Sequence, residues 1–135
     1  MVKTKRIYEP REKSDGARVL VMRLWPRGIR RGQVDEWNRD LAPSRELVFA
    51  FKHEGLPWKD YVSRYWKEIA PAAVQELRRR ARRETLTLLC SCADERRCHR
   101  GLLQQAISRR RAWSGSRAPA ARSPAPRGGR PAARS

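Results

Sequence analysis

The chain has 135 residues, enough for one ordinary domain and too few for a multi-domain machine or a long repeat array. Lys and Arg number 32 against 14 Asp and Glu, a formal charge of +18 with a pI near 11.4. Such an excess favours polyanionic partners such as nucleic acid but does not specify a fold. The charge is uneven, because the stretch from Ser108 to Ser135 holds eight Arg and no acid, while residues 1–107 carry the remaining +10.

In chain order, the basic start Met1 to Arg6 has no apolar stretch behind it, and the longest strongly apolar run is Leu47 to Phe51. No secretion signal or membrane span is expected. Three cysteines packed into nine residues make a poor disulfide framework, so reduced thiols and a cytoplasmic location are the expectation. Weak alternation around Ile7 predicts a strand over 3–8, and Pro10 with the Asp15-Gly16 turn signal predicts a loop. The apolar run Val19-Leu20-Val21-Met22 predicts a central strand over 18–22, covered on both faces.

The segment after it, Arg23-Leu24-Trp25-Pro26-Arg27-Gly28-Ile29-Arg30-Arg31-Gly32, is a basic loop leaving the C-terminal end of a strand, where open α/β sheets bind ligands. It is a candidate anion site, or equally an aromatic plug with Trp25 in the core edge and its arginines solvated. Residues 34–41 are ambiguous. After the Ala42-Pro43 break, Ser44 is placed to cap a helix over 44–51.

Trp58, Tyr61, Val62, Tyr65, Trp66 and Ile69 fall on one face of a helix over 57–69, a stripe read first as core packing and only second as base-stacking. Pro71 opens a helix over 71–83, whose Ala73, Val74, Leu77 and Ala81 face inward. Its Arg78, Arg79, Arg80, Arg82 and Arg83 crowd the last turns, complementing the helix dipole. Thr85 to Cys90 predicts a strand over 85–90, and Gly101 to Ile107 belongs to a helix over 98–110. Beyond it only Trp113 is large and apolar, so residues 108–135 are expected to be a disordered Arg/Pro/Ala-rich tail following a domain over 1–107.

The densest reactive cluster is Cys90-Ser91-Cys92-Ala93-Asp94-Glu95-Arg96-Arg97-Cys98-His99-Arg100, between a central strand and a helix N-terminus. Backbone N–H groups and the helix dipole there favour anions and lower thiol pKa values. In one reading Cys98 or Cys90 is a nucleophile with His99 as base or orienter, although helix neighbours diverge by about 100° and need not face each other. In another, Cys90, Cys92, Cys98 and His99 bind zinc. In a third, Cys90 and Cys98 only pack and His99 and Arg100 make surface hydrogen bonds. Cys90 and Arg96 also have the C-x5-R spacing of phosphatase loops, but no Gly lies between them to let amides curl round a phosphate.

Lys3 to Tyr8, Asp15 to Val21, Arg23-Leu24-Trp25-Pro26-Arg27-Gly28, Trp37, Asp40-Leu41-Ala42-Pro43-Ser44 and Leu88-Leu89-Cys90 together resemble the YeaO-like proteins, bacterial proteins grouped as domain of unknown function 488. The resemblance spans roughly 2–107 and implies a compact single α/β domain in the cytoplasm, with Arg23, Trp25, Arg27 and Ser44 carried over by motif. The Cys98-His99-Arg100 triplet resembles another branch of the superfamily, in which a strand-ending Cys is followed eight residues later by Cys-His-Arg. That branch tends to carry an acid two positions after the first Cys, where this chain has Cys92.

The expectation is therefore a small three-layer α/β domain with a short mixed or parallel sheet packed by helices, the strands over 18–22 and 85–90 paired in parallel. Its leading function is binding of a small anionic ligand, with thiol chemistry at Cys98, His99 and Cys90, and Arg23, Arg27, Arg100 and Ser44 as anion-binding residues. The alternatives are a nucleic-acid-associated protein gripping phosphate through its Arg-rich helix end and tail, and a Cys3His zinc site. No other cofactor is expected.

Overall fold

A computed structural model describes residues 1–109. Strands β1 (Val2–Arg6), β2 (Ala17–Leu20), β3 (Glu36–Trp37) and β4 (Leu86–Cys90) form a parallel sheet in the order β1-β4-β2-β3. The helices are α1 (Arg45–His53), α2 (Trp58–Glu68), α3 (Pro71–Ala81) and α4 (His99–Ser108). Each expected element is present within about two residues at its ends, and β2 and β4 are parallel as anticipated. β3 falls in the segment that gave no clear pattern, since two residues are too few to show alternation. The expected disordered tail lies outside the described residues apart from Ser108 and Arg109. Among the described residues no helix is long and apolar enough to cross a membrane.

Side chains alternate across the sheet, and the two faces are covered differently. Val2, Val19, Val21, Leu86 and Leu88 join Leu47, Tyr61, Tyr65, Val74, Leu77 and Leu103 of the four helices in one core. On the opposite face Ile7, Leu20 and Leu89 pack with Met22, Trp25, Ile29 and Val34, which come from loops and 3-10 turns. The third layer of this α/β domain is thus irregular chain, not α-helix. β4 is buried at all five positions, as a central parallel strand must be.

The loop-covered face is held by charge. Asp15, fully buried, accepts from Lys3 Nζ at 3.0 Å, Lys5 Nζ at 3.1 Å, Arg18 Nη1 at 2.7 Å and the Glu12 backbone N–H at 3.1 Å. Arg18, also fully buried, donates onward to the carbonyls of Gln33 and Glu9, fastening both covering loops. The Asp15 carbonyl accepts from Thr87 Oγ1 at 2.7 Å, linking the network to β4. Gly16 follows with φ of +63°, and a Cβ there would lie 2.2 Å from the Thr85 carbonyl oxygen, so only glycine lets β2 begin beside β4.

Burial alone would push the Asp15 carboxyl up, but the Glu12 N–H and the Lys3, Arg18 and Lys5 cations together hold it far below the usual carboxylate range. A depressed folded-state pKa gives stabilisation that is complete above the unfolded value of about 3.9 and is lost as pH falls below it. Asp15→Asn is expected to cost about 3–5 kcal/mol at pH 7 by leaving buried cations uncompensated. In urea unfolding, the gap between wild type and Asp15→Asn should narrow progressively below pH 4.

Candidate thiol site at the end of the central strand

Cys90 is the last residue of β4, and the two-residue period places it on the helix-covered face with Leu86 and Leu88. The ladder continues past the strands, Ile7 N–H bonding the Cys90 carbonyl at 2.9 Å and Val21 N–H the Leu89 carbonyl at 3.0 Å. The C-terminal ends of β1, β4 and β2 therefore come level around Cys90. Arg6, ending β1, reaches over to the Ser91 carbonyl with Nε at 3.3 Å and Nη2 at 3.2 Å.

From Cys90 the chain turns through a short 3-10 segment, Glu95–Arg97, and returns as α4, bringing Cys98 back to Cys90. Cys98 Sγ lies 3.5 Å from Cys90 Sγ, Cys90 Sγ lies 3.7 Å from Cys92 Sγ, and all three sulfurs fall within 4.8 Å of one another. All three cysteines are free. Donation runs outward, Cys98 S–H to Cys90 and Cys90 S–H to Cys92. Cys98 and Cys90 are 2% and 3% exposed, whereas Cys92 is only half-buried, so the chain of thiols ends at the sulfur that water reaches.

The charges follow that order. The hydrogen bond from Cys90, aided by the Lys52 charge, holds the Cys92 thiol below its ordinary range despite partial burial. Donation to its neighbours and burial push Cys98 up, and Cys90 is raised mainly by its bond to Cys92. Of the three thiols, Cys92 is the one shifted toward its thiolate. Burial raises the phenol of Tyr61 well above its ordinary range.

His99 is buried, and its Nε2 lies 2.5 Å from the Val21 carbonyl, so Nε2 carries the proton and Nδ1 is left as an acceptor. Nδ1 sits 3.6 Å from Cys98 Sγ. Burial holds the imidazole below its usual pKa, hence neutral. Cys98 and His99 do face each other, contrary to the helical argument, because Cys98 is the extended N-cap of α4 with φ of −144° and ψ of 147°. His99 is not a surface hydrogen-bonding residue, and neither is Arg100, which is 3% exposed and donates to the carbonyls of Cys92 at 2.6 Å and Cys90 at 3.4 Å. Among the described residues Arg100 Nε is the buried side-chain polar atom without a hydrogen-bond partner.

The remaining expected anion ligands lie elsewhere. Arg23 donates to the carbonyls of Pro43 at 3.1 Å and Ala42 at 3.3 Å, bracing the Leu-Ala-Pro-Ser segment. Arg27 is exposed. Trp25 fills the core edge, its Nε1 bonded to the Ile29 carbonyl and its ring meeting Trp37 edge-on at 5.3 Å. Ser44 caps α1 by accepting from Leu47 N–H at 3.1 Å, and its own hydroxyl and N–H both bond the Glu68 carboxylate. Three close cysteines can hold a metal ion, but His99 does not join the three sulfurs in one ligand set.

A family model described as "Active DUF488-N3 subclade" matches residues 2–111. This chain is a YeaO-like member of the DUF488 family. It is 40% identical over 103 residues to the uncharacterized protein YeaO of Escherichia coli strain K12, covering 73% of this chain and 89% of that one. It is 37% identical over 112 residues to the uncharacterized proteins Mb3100c of Mycobacterium bovis and Rv3073c of Mycobacterium tuberculosis, covering 81% of this chain and 95% of each. No solved structure matches it.

Within this DUF488 domain the residue that sequence reasoning undervalued is Cys92, considered there only as a zinc ligand. Two outcomes are expected. Limited alkylation followed by peptide mass mapping should modify Cys92 first, with Cys90 and Cys98 protected until the protein unfolds. Ser44→Ala should cost about 1 kcal/mol of stability through the lost helix cap, measured by urea unfolding, and leave Cys92 labelling unchanged.

Proposed function

We propose that this domain binds a small anionic ligand bearing an electrophilic atom, with Cys92 as the attacking sulfur. The observation that carries the reading is the three-sulfur chain at the end of β4, which directs hydrogen bonds outward to the one half-exposed thiol. Cys98 and Cys90 act as protonated donors in the chain that ends at the Cys92 thiolate. The sulfur lone pair forms the new bond, and any group displaced leaves with its own bonding pair.

Two cations suit an anionic ligand. Lys52, exposed near the end of α1, acts electrostatically on Cys92, and buried Arg100 keeps an unmet Nε–H beside the cysteine loop. A reducing, cytoplasmic compartment fits the reading, because neighbouring thiols persist unoxidised there.

A second reading rests on the three sulfurs lying within 4.8 Å, a spacing that suits thiolate ligands about 2.3 Å from a zinc ion. In that case a water or a ligand atom, not His99, would supply the fourth position.

The test is the alkylation rate of Cys92 against pH with two probes, neutral iodoacetamide and anionic iodoacetate, each with and without a zinc chelator. On the thiolate reading the rate changes less than about twofold from pH 8 to pH 6, where an ordinary thiol of pKa about 8.5 would slow by roughly 80-fold. Iodoacetate should gain relative to iodoacetamide compared with a free thiol, and Lys52→Glu should abolish that gain. Labelling that is blocked until chelator is added would replace this reading with the zinc site. An ordinary pH profile without chelator dependence would overturn both.

A further inference from the structure

The strongest unexplained feature lies at the other end of the sheet, where the strands begin. A cavity of about 540 Å³ opens there between the last turns of α3 and α4 and the start of β1. Its floor includes Val2 and Ile107, and its polar wall is made by Arg78, Arg82 and Arg109, with no acidic residue in the lining. Arg78, 6% exposed, bridges the two helices by donating to the Ala106 carbonyl. Arg82 and Arg109 are the exposed C-cap residues of α3 and α4.

Cations at helix C-termini ordinarily answer the dipole, so that contribution must be subtracted first. Each helix end is worth about half a negative charge, or about one unit for the two. Arg82 and Arg109 alone outweigh this, and neither has a carboxylate partner among the described residues. Arg78 adds a third positive charge within their field, and its guanidinium is driven below its ordinary pKa by burial and then by repulsion from Arg82 and Arg109. Nearby arginines on α3 behave differently, since Arg79 is matched by Glu76 and Arg80 by Glu36 and Glu84. Like charge gathered at one cavity, with Arg82 and Arg109 unmatched by a carboxylate among the described residues, raises the free energy of the empty domain, and an anion relieves it.

We infer that the cavity between α3 and α4 is a phosphate-binding groove for the backbone of a nucleic acid, with Arg82 and Arg109 as its contacts. A chain of phosphates suits it better than a single one, because the array extends along the sequence. Arg83 adjoins Arg82, and Arg109 is followed by seven further Arg and no acid through Arg134. Planar guanidinium forks bind phosphate oxygens in pairs, and contacts of this kind fix position on a strand without reading its bases. The groove is independent of the sulfur site, so Cys92→Ser is expected to bind as wild type does.

The experiment is fluorescence anisotropy of the full chain with a labelled, mixed-sequence oligodeoxynucleotide, single-stranded and duplex, over a range of salt. Three variants are compared: Arg82→Glu with Arg109→Glu, the charge-matched control Arg30→Glu with Arg31→Glu on the far loop, and Arg127→Ser with Arg130→Ser and Arg134→Ser. Urea midpoints confirm that each is folded. The groove variant should lose about tenfold or more in affinity and its log–log salt slope should fall by about 1.4–1.8, for two phosphate contacts at about 0.7–0.9 each. The control should lose less than about threefold. Equal losses in the groove and control variants would reduce the effect to net charge and overturn the proposal. It would be overturned equally by no binding, by dependence on the tail variant alone, or by competition with inorganic phosphate as strong per phosphate as with the oligonucleotide.

Discussion

The structure depends on one buried carboxylate. Asp15 sits under the loop-covered face of the sheet, where an isolated charge would be strongly disfavoured, and is answered by Lys3 and Lys5 of β1, Arg18 of β2 and the Glu12 N–H. Because Arg18 spends its other donors on the carbonyls of Glu9 and Gln33, the same network that neutralises the charge also fastens the two loops. This is how a small domain closes the second face of a parallel sheet without helices there. A few apolar contacts around Ile7, Leu20 and Leu89 complete the layer, and the register of β1 and β2 against β4 is pinned.

Pinning the register has chemical consequences at the far end of the strands. With Arg6 opposite Cys90 and Leu20 opposite Leu89, the chain leaving β4 emerges between two neighbours that supply fixed backbone partners. The Val21 carbonyl sets the tautomer of His99, whose Nδ1 lies 3.6 Å from the Cys98 sulfur. The sulfurs then lie along a gradient from dry to wet, so hydrogen bonding and solvation both favour charge at Cys92. The two ends of the sheet carry opposite characters. Thiols and neutral imidazole gather where strands end, and guanidinium groups gather where α3 and α4 end.

Much of the fold was legible from the residues. The i, i+3, i+4 stripe from Trp58 to Ile69 is core, Ser44 caps α1, and Pro71 is the first residue of α3. These are local signals, set by side-chain period and backbone chemistry, and local context sufficed to read them. β3 escaped notice because its two residues are held by Arg80 of α3 gripping Glu36, a contact separated by 44 positions. Arg23 and Arg27 are expected to bind an anion because they sit on a basic loop after a strand. Only the folded chain shows that the Ala42 and Pro43 carbonyls take the Arg23 guanidinium.

What the sequence determined by itself is the α/β class, the order of helices and strands, the concentration of thiols after the central strand and the excess of arginine. All of these follow from composition and short-range periodicity. Tertiary structure decided which thiol ends the hydrogen-bonded chain, that Cys98 faces His99 across an extended N-cap, that Ser44 is already matched by Glu68, and that Arg82 and Arg109 share a cavity with Arg78. The physical reason is common to all four. Burial, hydrogen-bond direction and charge pairing depend on groups brought together by sheet register and helix packing, and spacing along the chain does not encode them.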